Sequence, residues 1–480
     1  MKRFYLLMFA LLPALDCLAQ DESEPGNQWT LEECIEYARE HNLQVKLSQL
    51  NMLSEKVELT RSKADLFPSL NGGADYSYSV GRSINPVTND FINEPVSAQS
   101  YSLGSNVVLF NGFSKQNLIR QNKASLEASE FELAGTRNNI SLQIISAYTS
   151  ILFNKELLES AEARLEATDL QRERTQKQVE VGVLPQASLF EVEAQFASDE
   201  LAVTEALNSL ELSLLNLKQL LQLPAGEAIE IVDPELELSG VEVYPMSAAE
   251  IYDVAEETQP VINAVDAWVL SSEYGLRAAK GNLYPSITAQ AGLGSRYSPD
   301  FRNLIEGPMQ EIEIGYYYDE NNIRQDVKTM VPTTVKQEFA YFKQLEYNLS
   351  RSFTISLNIP IFNGLRTQAS ISQARIAQDR AQLQARLARQ DLRETIELAV
   401  QDVKAAALTF RSIQNQVRSL EEAFRSAEQR FNLGASNAVD YNVAKTNLDV
   451  ALSNLIRAKY DYIFKTELLD FYLNEPFSFE

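Results

Sequence analysis

The sequence predicts a secreted, mainly α-helical chain built from two copies of one unit, each a pair of β-strands followed by a hairpin of long helices. Three observations lead there. The chain opens on a short apolar leader, two landmarks recur at one constant spacing, and 69 residues before Gly434 contain no Gly or Pro.

The leader comes first. Lys2 and Arg3 precede an apolar run over residues 4–14, and Cys17-Leu18-Ala19 supplies a small-residue processing site, so residues 1–19 read as a signal peptide. Asp16 and Ala14, at the first and third positions before Cys17, fit a lipidation box poorly. Loss of the leader removes Lys2, Arg3 and Asp16 and takes the formal net charge from -24 to -25. That field repels nucleic acid and attracts cationic solutes or a basic partner. Cys34 is then the single cysteine, so neither an intrachain disulfide nor a cysteine metal cluster is available. The apolar fraction of 45% excludes general disorder. No later stretch of 18 apolar residues occurs, yet β-strands cross a membrane with mere alternation over ~10 positions.

The internal repeat comes next. Leu109-Phe110-Asn111-Gly112 recurs as Ile361-Phe362-Asn363-Gly364, and Val181-Gly182 as Leu433-Gly434, both displaced by 252 positions. An earlier landmark, Leu66-Phe67-Pro68-Ser69-Leu70, returns as Leu283-Tyr284-Pro285-Ser286-Ile287 at a displacement of 217. The second copy therefore carries 35 extra residues on the strand side. Boundaries follow: a first repeat over 20–223, a Pro-marked connector over 224–246 with a short strand near Ile229, a second repeat over 247–473, and a tail over 474–480.

The stretch between Gly364 and Gly434 would span ~100 Å as one α-helix. Leu392, Ile396, Ala399, Val403, Ala406, Phe410, Ile413, Val417, Leu420, Phe424, Ala427 and Phe431 alternate by four and three, the spacing of left-handed coiled-coil packing. The pattern restarts after Gly434 from Tyr441 to Tyr462. In the first copy it runs from Leu189 to Leu210, with Asp199 as its one break. Each copy is thus two long helices meeting at a tight turn near Gly182 or Gly434.

Four segments alternate with period two: approximately 69–82, 100–110, 285–297 and 351–361. Phe353, Ile355 and Leu357 face one way; Thr354, Ser356 and Asn358 face the other. Pro68 and Pro285 precede the first strand of each pair, and Asn111-Gly112 and Asn363-Gly364 follow the second. Such an apolar face either packs on other parts of the chain or belongs to a barrel closed by several chains, because four strands do not close alone.

Trp29-Thr30-Leu31-Glu32-Glu33-Cys34-Ile35-Glu36-Tyr37-Ala38 followed by Asn42, Phe67-Pro68-Ser69-Leu70, the duplicated Phe-Asn-Gly and the duplicated Gly turns occur in one order and spacing. Together they resemble the TolC-like outer-membrane efflux family over nearly all of the mature chain. The resemblance implies a homotrimer in which each protomer gives four strands to one 12-stranded outer-membrane barrel and long helices to a periplasmic tunnel. It implies a passive exit duct for efflux or type I secretion. Its partners would be a periplasmic adaptor of the membrane fusion protein type and an inner-membrane transporter of RND or ABC type.

Counting from Gly434, Asp440 matches an acidic ring position at the family's periplasmic mouth. The second ring position falls on Val443, the basic latch on Ser436 and the tyrosine latch on Phe431, so three of four positions depart. The tips, with Gly182, Val183, Leu184 and Pro185 on one side and Gly434, Ala435 and Ser436 on the other, are the expected adaptor-docking surface. The extra residues, about 299–348 with Tyr316-Tyr317-Tyr318, are expected to form an enlarged extracellular loop. No P-loop, dinucleotide fingerprint or nucleophile elbow occurs and His41 is the only histidine, so no enzyme activity and no cofactor are expected. The competing reading is a secreted coiled-coil structural or adhesive protein with a terminal β-domain.

Overall fold

A computed structural model describes residues 28–84, 91–93, 95–224, 226–234, 245–299, 302–433 and 435–474. The leader, residues 225 and 235–244 of the connector, Gly434 and residues 475–480 lie outside the described residues.

The first copy begins with β1 (Gln28–Trp29), α1 (Leu31–His41) and α2 (Leu43–Ala64). The strands β2 (Ser69–Ser79), β3 (Ser83–Ile84), β4 (Phe91–Ile92) and β5 (Val96–Asn111) follow, then α3 (Ser114–Glu180) and α4 (Gln186–Leu221). After β6 (Glu230–Ile231) the second copy opens with α5 (Ala248–Thr258) and α6 (Pro260–Gly281). It continues through β7 (Ser286–Tyr297), β8 (Arg302–Tyr318), β9 (Arg324–Glu338), α7 (Tyr341–Tyr347) and β10 (Ser350–Asn358) to α8 (Arg366–Asn432) and α9 (Ala438–Tyr472).

The duplication reaches further back than the sequence motifs suggested. Thr30 caps α1 in a box with Glu33, and Ser247 caps α5 in the same box with Glu250, again 217 positions on. Each box satisfies two amides at a helix start, which sets where the helix begins. Thr-x-x-Glu and Ser-x-x-Glu are variants of one capping signature, and the hydrogen bonds show that both copies use it.

The described residues form two compact units that cut across the repeats: those within 28–50, 132–261 and 389–474 in one, those within 51–131 and 262–388 in the other. In the first unit α1 buries Leu31, Cys34, Ile35 and Ala38, and α3 buries Ile140, Ile144, Ile145, Tyr148 and Ile151. The Tyr148 hydroxyl lies 3.3 Å from the Trp29 carbonyl and 2.6 Å from that of Val232, holding the parallel β1–β6 pair against α3. In the second copy Ile251, Tyr252 and Ala255 of α5 pack with Ile396, Val400 and Val403 of α8 and Leu469 of α9. The four-three alternation along α8 is its buried stripe, with Ile396, Ala399, Val403, Ala406, Phe410, Val417 and Ala427 all under 9% exposed.

Cys34 stands where the second copy has Ile251 and is 0% exposed, a small apolar core residue. Burial, then Glu33 and Glu32, push its thiol from 9.0 up to about 12. The folded chain keeps this proton while the unfolded chain loses it above 9.0. Stability is therefore expected to fall as pH rises from 9.0 toward about 12, and Cys34→Ala to flatten that fall. Iodoacetamide should alkylate Cys34 only after unfolding; alkylation of the native protein at the rate of an exposed thiol would contradict this burial.

In the second unit four strands form one antiparallel sheet in the order β10-β7-β5-β2. The strand expected over 351–361 stops at Asn358, because Pro360 has no amide to continue the ladder. The strand expected to reach residue 82 ends at Ser79, and that expected from residue 100 starts already at Val96. The expected loop over 299–348 instead contains a long antiparallel β8–β9 hairpin and the helix α7. Sequence alternation was obscured there by register shifts between Glu306 and Met309 and between Glu313 and Gly315, each of which turns later residues onto the opposite face.

Candidate functional site

The register sorts the sheet into two faces. Phe353, Ala291, Ser105 and Leu70 stand opposite one another across all four strands; Ile355, Ala289 and Val107 form the adjacent row, and Leu357 and Ile287 the next. On the reverse face the rows read Thr354, Gln290, Asn106 and Ser69, then Ser352, Gly292, Gly104 and Asn71. The apolar face is open. Phe353 is 70% exposed, Ile355 60%, Leu357 61% and Leu70 69%. A chain leaving such a face uncovered in water would aggregate through it. The outer edges of β10 and β2 pair with no strand among the described residues.

The strand–helix junctions are built alike in both copies. Leu66 and Phe67 donate to Lys63 and Ala64, Leu283 and Tyr284 donate to Lys280 and Gly281, and then Pro68 or Pro285 stops the helix. After the second strand of each pair, Gly112 and Phe113 have φ of 65° and 61°, and Gly364 and Leu365 have 65° and 66°. Two consecutive left-handed residues reverse the chain, at a cost of roughly 1–2 kcal/mol for the non-glycine one. Asn111 Oδ1 accepts from Lys115 N at 3.4 Å, and Asn363 Nδ2 donates to Thr367 Oγ1 at 2.6 Å. The copies differ in packing: a Cβ on Gly112 would lie 2.2 Å from the Gly281 carbonyl oxygen, whereas one on Gly364 meets nothing within 4 Å. Gly112→Ala is thus expected to abolish assembled protein, while Gly364→Ala costs only about 1–2 kcal/mol of backbone strain. Equal yields of the two variants in a membrane fraction would refute the difference.

At the tips, Val183 N donates to Gln178 O at 2.8 Å and Ala435 N to Arg430 O at 2.8 Å, the same six-to-one closure displaced by 252 residues. Gly182 supplies a left-handed residue (φ 79°). Val181 and Val183 are 73% and 68% exposed, and Pro185 starts α4 without a side-chain cap. Asn437 Oδ1 caps α9 by accepting from Asp440 N at 2.8 Å. Ser436 Oγ donates to Asp440 Oδ2 at 3.1 Å within the same turn. Phe431 stacks on Tyr441 with centroids 5.0 Å apart, and Val443 is 55% exposed. Burial, followed by Glu428 and Asp449, raises the Tyr441 hydroxyl.

One cluster escaped the sequence reading. Asp199, the break in the α4 stripe, is 5% exposed. Its carboxylate accepts from Thr168 Oγ1 at 2.6 Å and Gln195 Nε2 at 3.0 Å, and lies 3.7 Å from the Lys445 ammonium of α9, which also donates to Thr168. The cluster ties the helical hairpin of the first copy to that of the second. The signal was present as a carboxylate at an apolar position, but its partner lay 246 residues away in the sequence.

The family model described as outer membrane efflux protein matches residues 35–222 and 251–475. The chain belongs to this family. Outer membrane protein TolC of Vibrio cholerae is 23% identical over 412 residues, spanning 84% of this chain and 81% of that one. The alkaline protease secretion protein AprF of Pseudomonas aeruginosa is 23% identical over 411 residues, 83% of this chain and 75% of the relative. The open state of the Neisseria gonorrhoeae MtrE outer membrane channel superposes with a TM-score of 0.69 at 18% identity, covering 92% of this chain and 88% of that one. Membership in the TolC-like family makes the chain a passive outer-membrane exit-channel protein with a periplasmic extension, and not an enzyme. The sheet of this chain thus has one open apolar face and one face of Ser, Thr, Asn and Gln.

Proposed function

We propose that three copies close one 12-stranded barrel, the free edge of β10 pairing with β2 of the next copy, and that solutes leave the periplasm or cytoplasm through it by diffusion. The observation that carries this reading is the sheet with two unpaired edges, one open apolar face and one polar face. A coiled-coil structural or adhesive protein would cover Phe353, Ile355 and Leu357 with its own side chains. Here they stand open. Energy must come from partners: a periplasmic adaptor on the tips around Gly182–Pro185 and Ala435–Ser436, and an inner-membrane transporter of RND or ABC type. The test is native mass in detergent together with conductance in planar bilayers. A trimer with discrete conductance steps supports the proposal; a water-soluble monomer without conductance removes it.

At the mouth, three copies of Asp440 around one axis would form a single acidic ring, with Val443 adding no second ring and Phe431 and Ser436 no charged latch. Three carboxylates at a constriction focus field and favour cations. Asp440→Asn is expected to lower cation selectivity and block by multivalent cations. Unchanged selectivity and block would leave Asp440 as a helix-start acid held by Asn437 and Ser436.

A further inference from the structure

The helix α7 lies on the apolar face of the sheet. Tyr341 reaches Tyr101, with hydroxyls 2.7 Å apart, as well as Gln99 Oε1 at 3.2 Å and the ring of Tyr297 with centroids 4.6 Å apart. Tyr101, Gln99 and Tyr297 share the face of Leu103, Leu293 and Ala289 by strict alternation along the paired strands. Ser295, on that face too, donates its hydroxyl to Leu345 O at 2.6 Å. The attachment is firm: Gln344 is 0% exposed, accepting from Ser298 N at 2.9 Å and donating to Ser298 O at 3.0 Å. Asn348 Nδ2 donates to Arg296 O at 2.7 Å.

The helix is placed at the sheet end remote from Pro285 and Asn111, because it packs beside the C-terminal end of β7 and the N-terminal half of β5. Outward it presents Phe342, 80% exposed, with Lys343 and Glu346 also exposed. Phenol hydroxyls bonded to one another and to an amide, beside an exposed aromatic ring, make a surface apolar in body and polar at the tip. That combination suits the layer between acyl chains and water.

We infer that α7 is a membrane-interface foot, with Phe342 seated among the outer-leaflet lipids at headgroup depth. This rests on the reading that the apolar sheet face meets lipid, with which α7 is continuous. Its role is to set how deep the barrel sits, since Phe342 in water would leave apolar surface uncovered, while deeper immersion would carry Lys343 and Glu346 into hydrocarbon.

The test uses full-length protein in phosphatidylcholine vesicles carrying a nitroxide either at the first carbons of the acyl chain or near its end. Phe342→Trp, read as the difference from wild type so that Trp29 and Trp268 cancel, should lose emission to the shallow label and little to the deep one. Ile355→Trp, mid-strand on the same face, should show the reverse order. Quenching of Ile355→Trp without quenching of Phe342→Trp by either label overturns the foot alone, whether the indole then emits as in water or is blue-shifted beneath a second copy. Absence of quenching at both positions overturns the lipid-facing sheet as well.

Discussion

Replacing Lys445 by alanine is expected to cost about 3–5 kcal/mol, because the Asp199 carboxylate then stays buried without its cation. Asp199 is 6% and Lys445 11% exposed at the side chain, so water cannot replace the missing partner. Thr168 and Gln195 would still donate to Asp199, which places the loss at the lower end of that range. The double replacement Asp199→Leu with Lys445→Met removes both charges and restores the apolar stripe, and it is expected to recover most of the stability. What it should not recover is registry between the two hairpins, since apolar side chains slide where a bonded charge pair does not. Thermal unfolding followed by circular dichroism checks the first expectation, and cysteine cross-linking between α4 and α9 checks the second. A Lys445→Ala variant as stable as the parent would show that the cluster has no energetic role.

Arginine at Ile355 and at Thr354 should have opposite consequences, though the two are neighbours on one strand. Ile355 stands 60% exposed on the apolar face, and a cation facing the bilayer midplane costs about 2–4 kcal/mol. Ile355→Arg is therefore expected to reduce barrel insertion and leave unassembled chain. Thr354 faces the other way, in a row with Gln290 and Asn106. Thr354→Arg should insert normally and shift ion selectivity toward anions, because three added cations would line the aqueous path. Membrane fractionation and bilayer reversal potentials read the two effects separately. If Thr354→Arg failed to insert while Ile355→Arg conducted, the assignment of the faces would be inverted.

Much of the architecture was legible in the sequence for physical reasons. Gly112 and Gly364 mark left-handed turns that other residues enter only with strain, and Pro68 and Pro285 stop helices by lacking an amide. Such punctuation survives in a single chain, and its spacing exposed the duplication. The strands showed because alternation is a local property. What stayed hidden was non-local or irregular. The β8–β9 hairpin carries two register shifts that scramble its alternation, and α7 is seven residues long, too short for a periodic signal. Among the tip residues, Ser436 and Asp440 are close in sequence and their bond is foreseeable, but the stacking of Phe431 on Tyr441 needs the turn to be closed.

By itself, then, the sequence determined the long helices, the strands of the four-stranded sheet, the duplication and the two faces of those strands, all of which follow from backbone rules acting over a few residues. Only the tertiary structure decided which strands adjoin, that their apolar sides align into one uncovered face, and that Asp199 is answered by Lys445. These depend on contacts between residues far apart in the chain, where burial and charge pairing act through space and leave no periodic mark in the order of residues.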